Sequence, residues 1–250
     1  MIRIRDVFLT PISESEYLVI TCDSCGGIGN KEHDIVKVDP FYVGYFTTVV
    51  ALAENLAIGG EVLSVVDTLS LSMVGDGEKI LEGVQRAMEE AELSPTQLIT
   101  GSTEENIPVT QTAIGVTVIG KINKEKVKYP KSQKGDLLVL LGLPKMGNQL
   151  VEEEILQTKS EIIKLKHIIQ LSKLTFVKEL IPVGSKGIDY ECQEIASLNH
   201  CKVVYKEGAI DLNVSAGPGT CVLITIDKNN IQQLLTKNIN IPINIIGELI

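Results

Sequence analysis

Apolar and polar positions alternate along this chain with two periods in turn, one near two and one near 3.6 residues. Residues 1–9 and 16–22 (EYLVITC) read as two short strands around a polar turn at 10–15. A Gly-rich loop follows over 23–31 (DSCGGIGNK), and residues 34–38 alternate as a strand. Asp39-Pro40 opens a predicted helix over 41–58, with Pro in its first turn. That helix is apolar almost all round, which predicts deep burial, and Gly59-Gly60 ends it. Residues 62–74 predict a long strand with one interior acid, Asp67. Residues 77–92 predict an amphipathic helix with Ile80, Val84, Ala87, Met88 and Ala91 on one face. A short strand (97–100), a polar turn (101–106) and a strong strand (112–121) follow.

The stretch 123–135 is Lys-rich and polar and holds Pro130, so it predicts a boundary between domains at 1–122 and 134–250. Beyond it the pattern predicts a strand at 136–142, helices near 148–157 and 159–173, and a strand at 175–183. A turn at 184–187, a helix at 189–199, strands at 201–206 and 220–226, a helix capped by Asp227 and a strand at 239–246 complete it. Strands alternating with helices in both halves place the chain in the α/β or α+β class.

Composition narrows the function. The 250 residues carry 23 Lys+Arg against 32 Asp+Glu, a formal net charge of -9, which argues against binding nucleic acid by neutralising phosphates. Aromatics are 4% with no Trp, so base-stacking platforms are not expected. The core must be built from Ile, Val and Leu, in strands buried on both faces or packed under helices. Five cysteines are an odd number and do not read as a disulfide framework. The first residues lack the apolar core of a signal peptide, and no stretch reaches the ~18 apolar residues of a membrane span, so the expected compartment is the cytoplasm.

Three features carry candidate chemistry. In the loop 23–31, Gly26, Gly27 and Gly29 allow backbone N–H groups to turn inward as an anion-holding nest, and Lys31 adds a charge suited to phosphate. The same loop also reads as a Gly-rich hairpin with solvated charges. It is neither a Walker A loop nor a dinucleotide fingerprint. Asp23 at a strand end, Glu54 on the apolar helix and Asp67 inside an apolar strand are carboxylates from separate segments, the ligand type that Mg²⁺ requires. A buried carboxylate costs several kcal/mol, in order of magnitude, unless it is paired or ligates a metal; solvent-facing positions are the alternative for Asp67 and Glu54. The turn 101–106 (GSTEEN) offers hydroxyls and acids for a phosphate or a metal, or is simply a polar turn. Cys22 and Cys25 form a C-x-x-C without a second pair or a His at ligand spacing, so they read as ordinary cysteines.

These residues resemble the superfamily of aminoimidazole ribonucleotide synthetase (PurM-like), thiamine-monophosphate kinase, selenophosphate synthetase and the hydrogenase-maturation carbamoyl dehydratase. Asp23 with Gly27-Ile28-Gly29-Asn30-Lys31 is similar to the family's phosphate loop, and residues 54–61 (ENLAIGGE) resemble its acid-bearing helix end. Asp67 falls at its strand aspartate, Thr100-Gly101-Ser102-Thr103 resembles its Gly-Gly-acid-Thr turn, and Gly135-Asp136 the opening of its second domain. Within the superfamily, residues 34–38, 100–108 and 115–120 are most similar to the α-ribazole kinases of cobalamin salvage.

The resemblance implies two α/β domains, with the N-terminal one pairing in a homodimer so that strands of two copies form a barrel beside bound ATP and Mg²⁺. It implies a kinase phosphorylating α-ribazole, a nucleoside-like small molecule, at its 5′-hydroxyl, with no nucleic-acid or membrane partner. Asp23, Glu54 and Asp67 would hold the metal. Gly26, Gly27, Gly29, Lys31, Gly101, Ser102 and Thr103 would hold the nucleotide, and Lys31 and Glu105 would serve catalysis, Glu104 being the alternative to Glu105. Three departures stand out: Glu54 replaces an Asp, Ser102 replaces an acid, and Lys186 stands where relatives place an Asp. The rival functions are an ATP-dependent amide-activating cyclo-ligase and a nucleotide-binding maturation protein of low turnover.

Overall fold

The computed structural model describes residues 2–152, 160–208 and 210–250. The chain divides into two units, Met1–Leu56 with Gly60–Lys126, and Ala57–Gly59 with Val127–Ile250. The class is α+β, as the alternation predicts.

The first unit is built on a six-stranded sheet. Its strands are β1 (Ile2–Ile4), β2 (Val7–Pro11), β3 (Glu16–Gly26), β6 (Glu61–Leu69), β7 (Leu98–Thr103) and β8 (Ala113–Asn123), in the spatial order β1-β2-β3-β8-β6-β7. Neighbours are antiparallel except β6 and β7, which run parallel. Two short strands, β4 (Ile28–Gly29) inside the Gly-rich loop and β5 (Val36–Lys37) beyond it, form a parallel pair. Burial on β8 strictly alternates: Ile114, Val116 and Val118 are buried while Gly115, Thr117 and Ile119 are half-exposed. One face of this sheet is therefore the core face, and α1 (Pro40–Ala57) packs on it, with Thr21 Oγ1 donating to the Ala51 carbonyl at 2.7 Å.

Helix α1 starts where Asp39 Oδ1 accepts the Phe41 N–H at 3.0 Å. It crosses α2 (Glu78–Glu90) at glycine: a Cβ on Gly44 would sit 2.0 Å from the Ile80 carbonyl oxygen, and one on Gly83 1.9 Å from that of Phe41. The two backbones meet where neither chain has a side chain to hold them apart.

Four sequence expectations change in this unit. Residues 1–9, expected as one strand, fold into the antiparallel pair β1 and β2, and β3 pairs with β8 as far as Gly26, so Asp23 to Gly26 are strand and not loop. The strand predicted over 62–74 leaves the sheet after Leu69, because Glu105 captures the Ser72 hydroxyl (2.7 Å) and the Met73 N–H (2.8 Å) and bends the chain into a turn over 72–77. The turn predicted at 101–106 is strand through Thr103, with a bulge: Asp67 pairs with Thr100 and Thr68 with Ser102, leaving Gly101 as the extra residue.

The second unit holds a five-stranded, wholly antiparallel sheet in the order β10-β12-β9-β13-β11. These strands are β9 (Asp136–Gly142), β10 (Val177–Pro182), β11 (Val203–Tyr205), β12 (Cys221–Asp227) and β13 (Ile243–Leu249). Central β12 is buried at every position from Cys221 to Ile226, so both faces are covered, as its unbroken apolar run predicts. The helices among the described residues are α3 (Gly147–Leu150), α4 (Leu165–Ser172), α5 (Gly187–Leu198) and α6 (Ile231–Leu235). The helix predicted over 159–173 begins only at Leu165. Leu143 N–H bonds the Glu161 carbonyl and Ile163 N–H bonds that of Thr220, pulling residues 161–163 into extended pairing. The helix predicted over 148–157 starts as α3, and its second half, 153–157, lies outside the described residues. Among the described residues, no helix is long and apolar enough to cross a membrane.

Candidate functional site

The core face of the first sheet carries two carboxylates in one row. Asp23 on β3 pairs in register with Val116 on β8, and Val116 pairs on its other side with Asp67 on β6. Register partners on adjacent strands share a face, so both acids point to the helix-covered side, about two ladder spacings of ~4.8 Å apart. Asp67 is completely buried, and neither carboxylate oxygen has a hydrogen-bond partner. Burial raises its carboxyl above the usual carboxylate range, opposed by the side chain of Thr100 beside it on β7. Asp23 is half-buried; desolvation pushes it up to about 6, the Ser24 N–H opposes this and the charge of Asp6 adds to it. Next along the same face is Cys25, raised to about 11 first by burial and then by Asp23. The structure thus sets two carboxyl groups, one fully buried and one half-buried, in one row on the core face of this sheet, where burial disfavours their charged forms.

The Gly-rich loop lies just past Asp23. Gly27 (φ +74°) adopts the left-handed conformation and donates its N–H to the Thr112 carbonyl at 2.9 Å, so that amide is spent inside the fold. The loop is braced by Asp34, which is 5% exposed. Its Oδ2 accepts the Lys31 N–H (2.9 Å) and the Thr112 hydroxyl (2.7 Å), and its Oδ1 accepts the Thr112 N–H (2.8 Å). These hydrogen bonds hold the Asp34 carboxyl below its ordinary value, against the opposing effect of burial. The Lys31 ammonium stands 3.3 Å from Asp76 Oδ2, and Asn30 Nδ2 donates to Asp76 Oδ1 at 3.1 Å.

The remaining candidates are placed differently. Glu54 is buried, but its Oε2 lies 3.3 Å from the Arg5 guanidinium, itself buried, so this acid has a cation within the fold. Gly101, Ser102 and Thr103 lie on edge strand β7, where a Cβ at Gly101 would stand 3.0 Å from the Asp67 carbonyl. Glu105 holds the 72–77 turn, and those hydrogen bonds lower its carboxyl; Glu104 Oε1 accepts the N–H groups of Asn106 (2.8 Å) and Ile107 (3.1 Å) and is lowered likewise. Lys186 in the second unit lies 4.1 Å from the ring centre of Tyr190, a cation–π contact. Among the described residues no three His, Cys, Asp or Glu side chains converge as a metal-binding group, so Asp23, Glu54 and Asp67 do not form a preformed triad within one chain.

Arg5, Asp34 and Asp76 did not stand out in the sequence. Asp34 had a usable signal, an acid heading an alternating strand beside a Gly-rich loop. Arg5 and Asp76 had none, because their partners lie 49 and 45 or 46 positions away.

Solved structures with this fold include E. coli HypE, at 16% identity and a TM-score of 0.70, covering 93% of this chain and 79% of that one. Thiamine monophosphate kinase from Aquifex aeolicus aligns at 16% identity and a TM-score of 0.68, covering 99% and 89%. AaThiL complexed with AMPPCP and TMP aligns at 14% and 0.66, covering 98% and 84%. At these identities the likeness is one of fold. No curated protein matches the chain by sequence. Residues 5–122, the part of the chain that carries Asp23, the Gly-rich loop and Asp67, match the family model described as AIR synthase related protein, N-terminal domain.

Proposed function

We propose that the chain is an ATP-dependent small-molecule kinase of the cytoplasm, working as a homodimer. The observation that carries the reading is Asp67, a fully buried carboxylate with both oxygens unpartnered, in one sheet row with a half-buried Asp23 whose carboxyl is pushed up to about 6. Two carboxylates in one row, neither held by a cation of the fold among the described residues, suit Mg²⁺, which takes few protein carboxylates and leaves its other positions to phosphate and water. Bound there, Mg²⁺ would neutralise charge on a triphosphate. Glu54 would join only by giving up Arg5, so Asp23 and Asp67 are the principal ligands. Lys31 would pair with phosphate oxygens, its backbone fixed by Asp34. Gly26, Gly27, Gly29, Gly101, Ser102 and Thr103 would border the nucleotide, and Glu105 would position the acceptor. Phosphoryl transfer depends on positioning and charge neutralisation, which these groups supply. The fold likeness to AaThiL, complexed with AMPPCP and TMP, supports a nucleotide and a small-molecule acceptor as the ligand classes.

The acceptor we favour is α-ribazole, on the resemblance of residues 34–38, 100–108 and 115–120. A coupled ADP-release assay offering α-ribazole, thiamine monophosphate and formylglycinamidine ribonucleotide in parallel separates the kinase from the cyclo-ligase; ATP binding without ADP release for any acceptor would support the low-turnover protein. Asp67→Asn should lower turnover by orders of magnitude while the protein stays folded. Near-normal ADP release by that variant would remove the metal assignment.

A further inference from the structure

We infer that Asp76 is an internal stand-in for phosphate: its carboxylate occupies Lys31 and Asn30 in the free protein and yields them when a polyphosphate arrives. The inference rests on the proposed phosphate role of Lys31. Three observations converge on it. First, two side chains from consecutive loop positions reach the same carboxylate, Lys31 Nζ to Oδ2 at 3.3 Å and Asn30 Nδ2 to Oδ1 at 3.1 Å. One ammonium and one amide N–H on adjacent oxygens is also how a phosphoryl group would be held. Second, the Lys31 backbone does not depend on this contact, since Asp34 holds its N–H. The side chain can therefore change partners without disturbing the loop.

Third, Asp76 sits on a turn suited to moving. Gly75 (φ +85°) has open space where a side chain would be, Val74 is 81% exposed, and Asp76 is flanked by Gly75 and Gly77. The turn is anchored at its ends, by Glu105 on Ser72 and Met73 and by Lys79 Nζ on Asp39 Oδ2 at 2.9 Å, and held inside by longer contacts, Val74 N–H to Ser72 Oγ at 3.3 Å and Gly75 N–H to Glu78 Oε2 at 3.4 Å. The anchors and the closely packed Gly77 keep Asp76 near the loop, while Gly75, in open space, leaves the turn room to shift beside it. An incoming triphosphate would then exchange one anion for another at Lys31, at the cost of a partly exposed ion pair, which is small.

The test is calorimetric titration of the full chain with inorganic tripolyphosphate and with Mg–ATP. Asp76→Asn should bind tripolyphosphate roughly two- to fivefold more tightly than the wild type, the range set by an exposed ion pair. Lys31→Ala should weaken binding, and adding Asp76→Asn to Lys31→Ala should change nothing further. Asp76→Ser serves as a second variant, and thermal melts confirm folding of each. Equal or weaker binding by both Asp76 variants, with wild-type binding intact, overturns the stand-in and leaves the kinase reading standing; a loss confined to Mg–ATP would instead make Asp76 a cation ligand. Tighter binding that persists in the Lys31→Ala background overturns it too, reducing the effect to net charge. If neither wild type nor variants bind either probe, the nucleotide reading falls and the stand-in with it.

Discussion

Replacing Asp23 by Asn should make the protein more stable at neutral pH. The folded-state carboxyl is pushed from 3.8 to about 6, so at pH 7.5 folding holds an ionised group in a place that disfavours charge. That shift corresponds to roughly 3 kcal/mol at most; the side chain is only partly buried, and water screening reduces the expected gain to about 1–2 kcal/mol. The sign follows from proton counts. Between about pH 4 and 6 the folded protein binds more protons at this site than the unfolded chain does, so wild-type stability falls as pH rises through that window. The advantage of Asp23→Asn should therefore be full above pH 6 and vanish near pH 4. Urea and thermal denaturation at pH 4 and 7.5 would read it, the latter as a rise of roughly 3–6 °C in Tm at pH 7.5. Mg–ATP should raise the Tm of the wild type and not of the variant. Equal or lower stability of Asp23→Asn at pH 7.5, or a gain unchanged at pH 4, would refute the idea that burial strains this carboxylate.

Two further outcomes test the frame that holds the site. Gly44→Ala puts a methyl group 2.0 Å from the Ile80 carbonyl, so it should separate α1 from α2 and cost roughly 3 kcal/mol, read as a lowered urea midpoint; a neutral result would mean the helices cross elsewhere. Cys22 and Cys25 lie three positions apart on β3, hence on opposite faces and about 10 Å apart, beyond disulfide reach. Mild oxidation should leave the pair unbridged within a chain, and thiol-reactive dye should label exposed Cys22 well before Cys25, whose thiol is pushed up to about 11; mass spectrometry showing a 22–25 crosslink would contradict the strand.

Local patterning accounts for most elements. The helix expected at 41–58 is α1 at Pro40–Ala57, and the one at 77–92 is α2 at Glu78–Glu90, because cap residues and apolar spacing act within a few turns. Two of the misplaced ends share one cause, a bond from a distant segment. Nothing near residues 70–74 distinguishes them from strand until Glu105 takes the Ser72 hydroxyl and the Met73 N–H. Nothing near 161–163 opposes helix until Leu143 and Thr220 compete for that backbone.

The site divides in the same way. Residue type and neighbours along the chain were enough to mark Asp67 as an acid in an apolar strand and to mark the three glycines before Lys31 as a loop able to approach an anion. The row that sets Asp23 and Asp67 on either side of Val116, the Arg5 guanidinium on Glu54 and the Asp76 carboxylate on Lys31 exist only once strands and turns far apart in sequence are brought side by side. Backbone preferences are short-ranged and legible one window at a time. The fate of a charge depends on what surrounds it in space, and that is decided by pairing and packing.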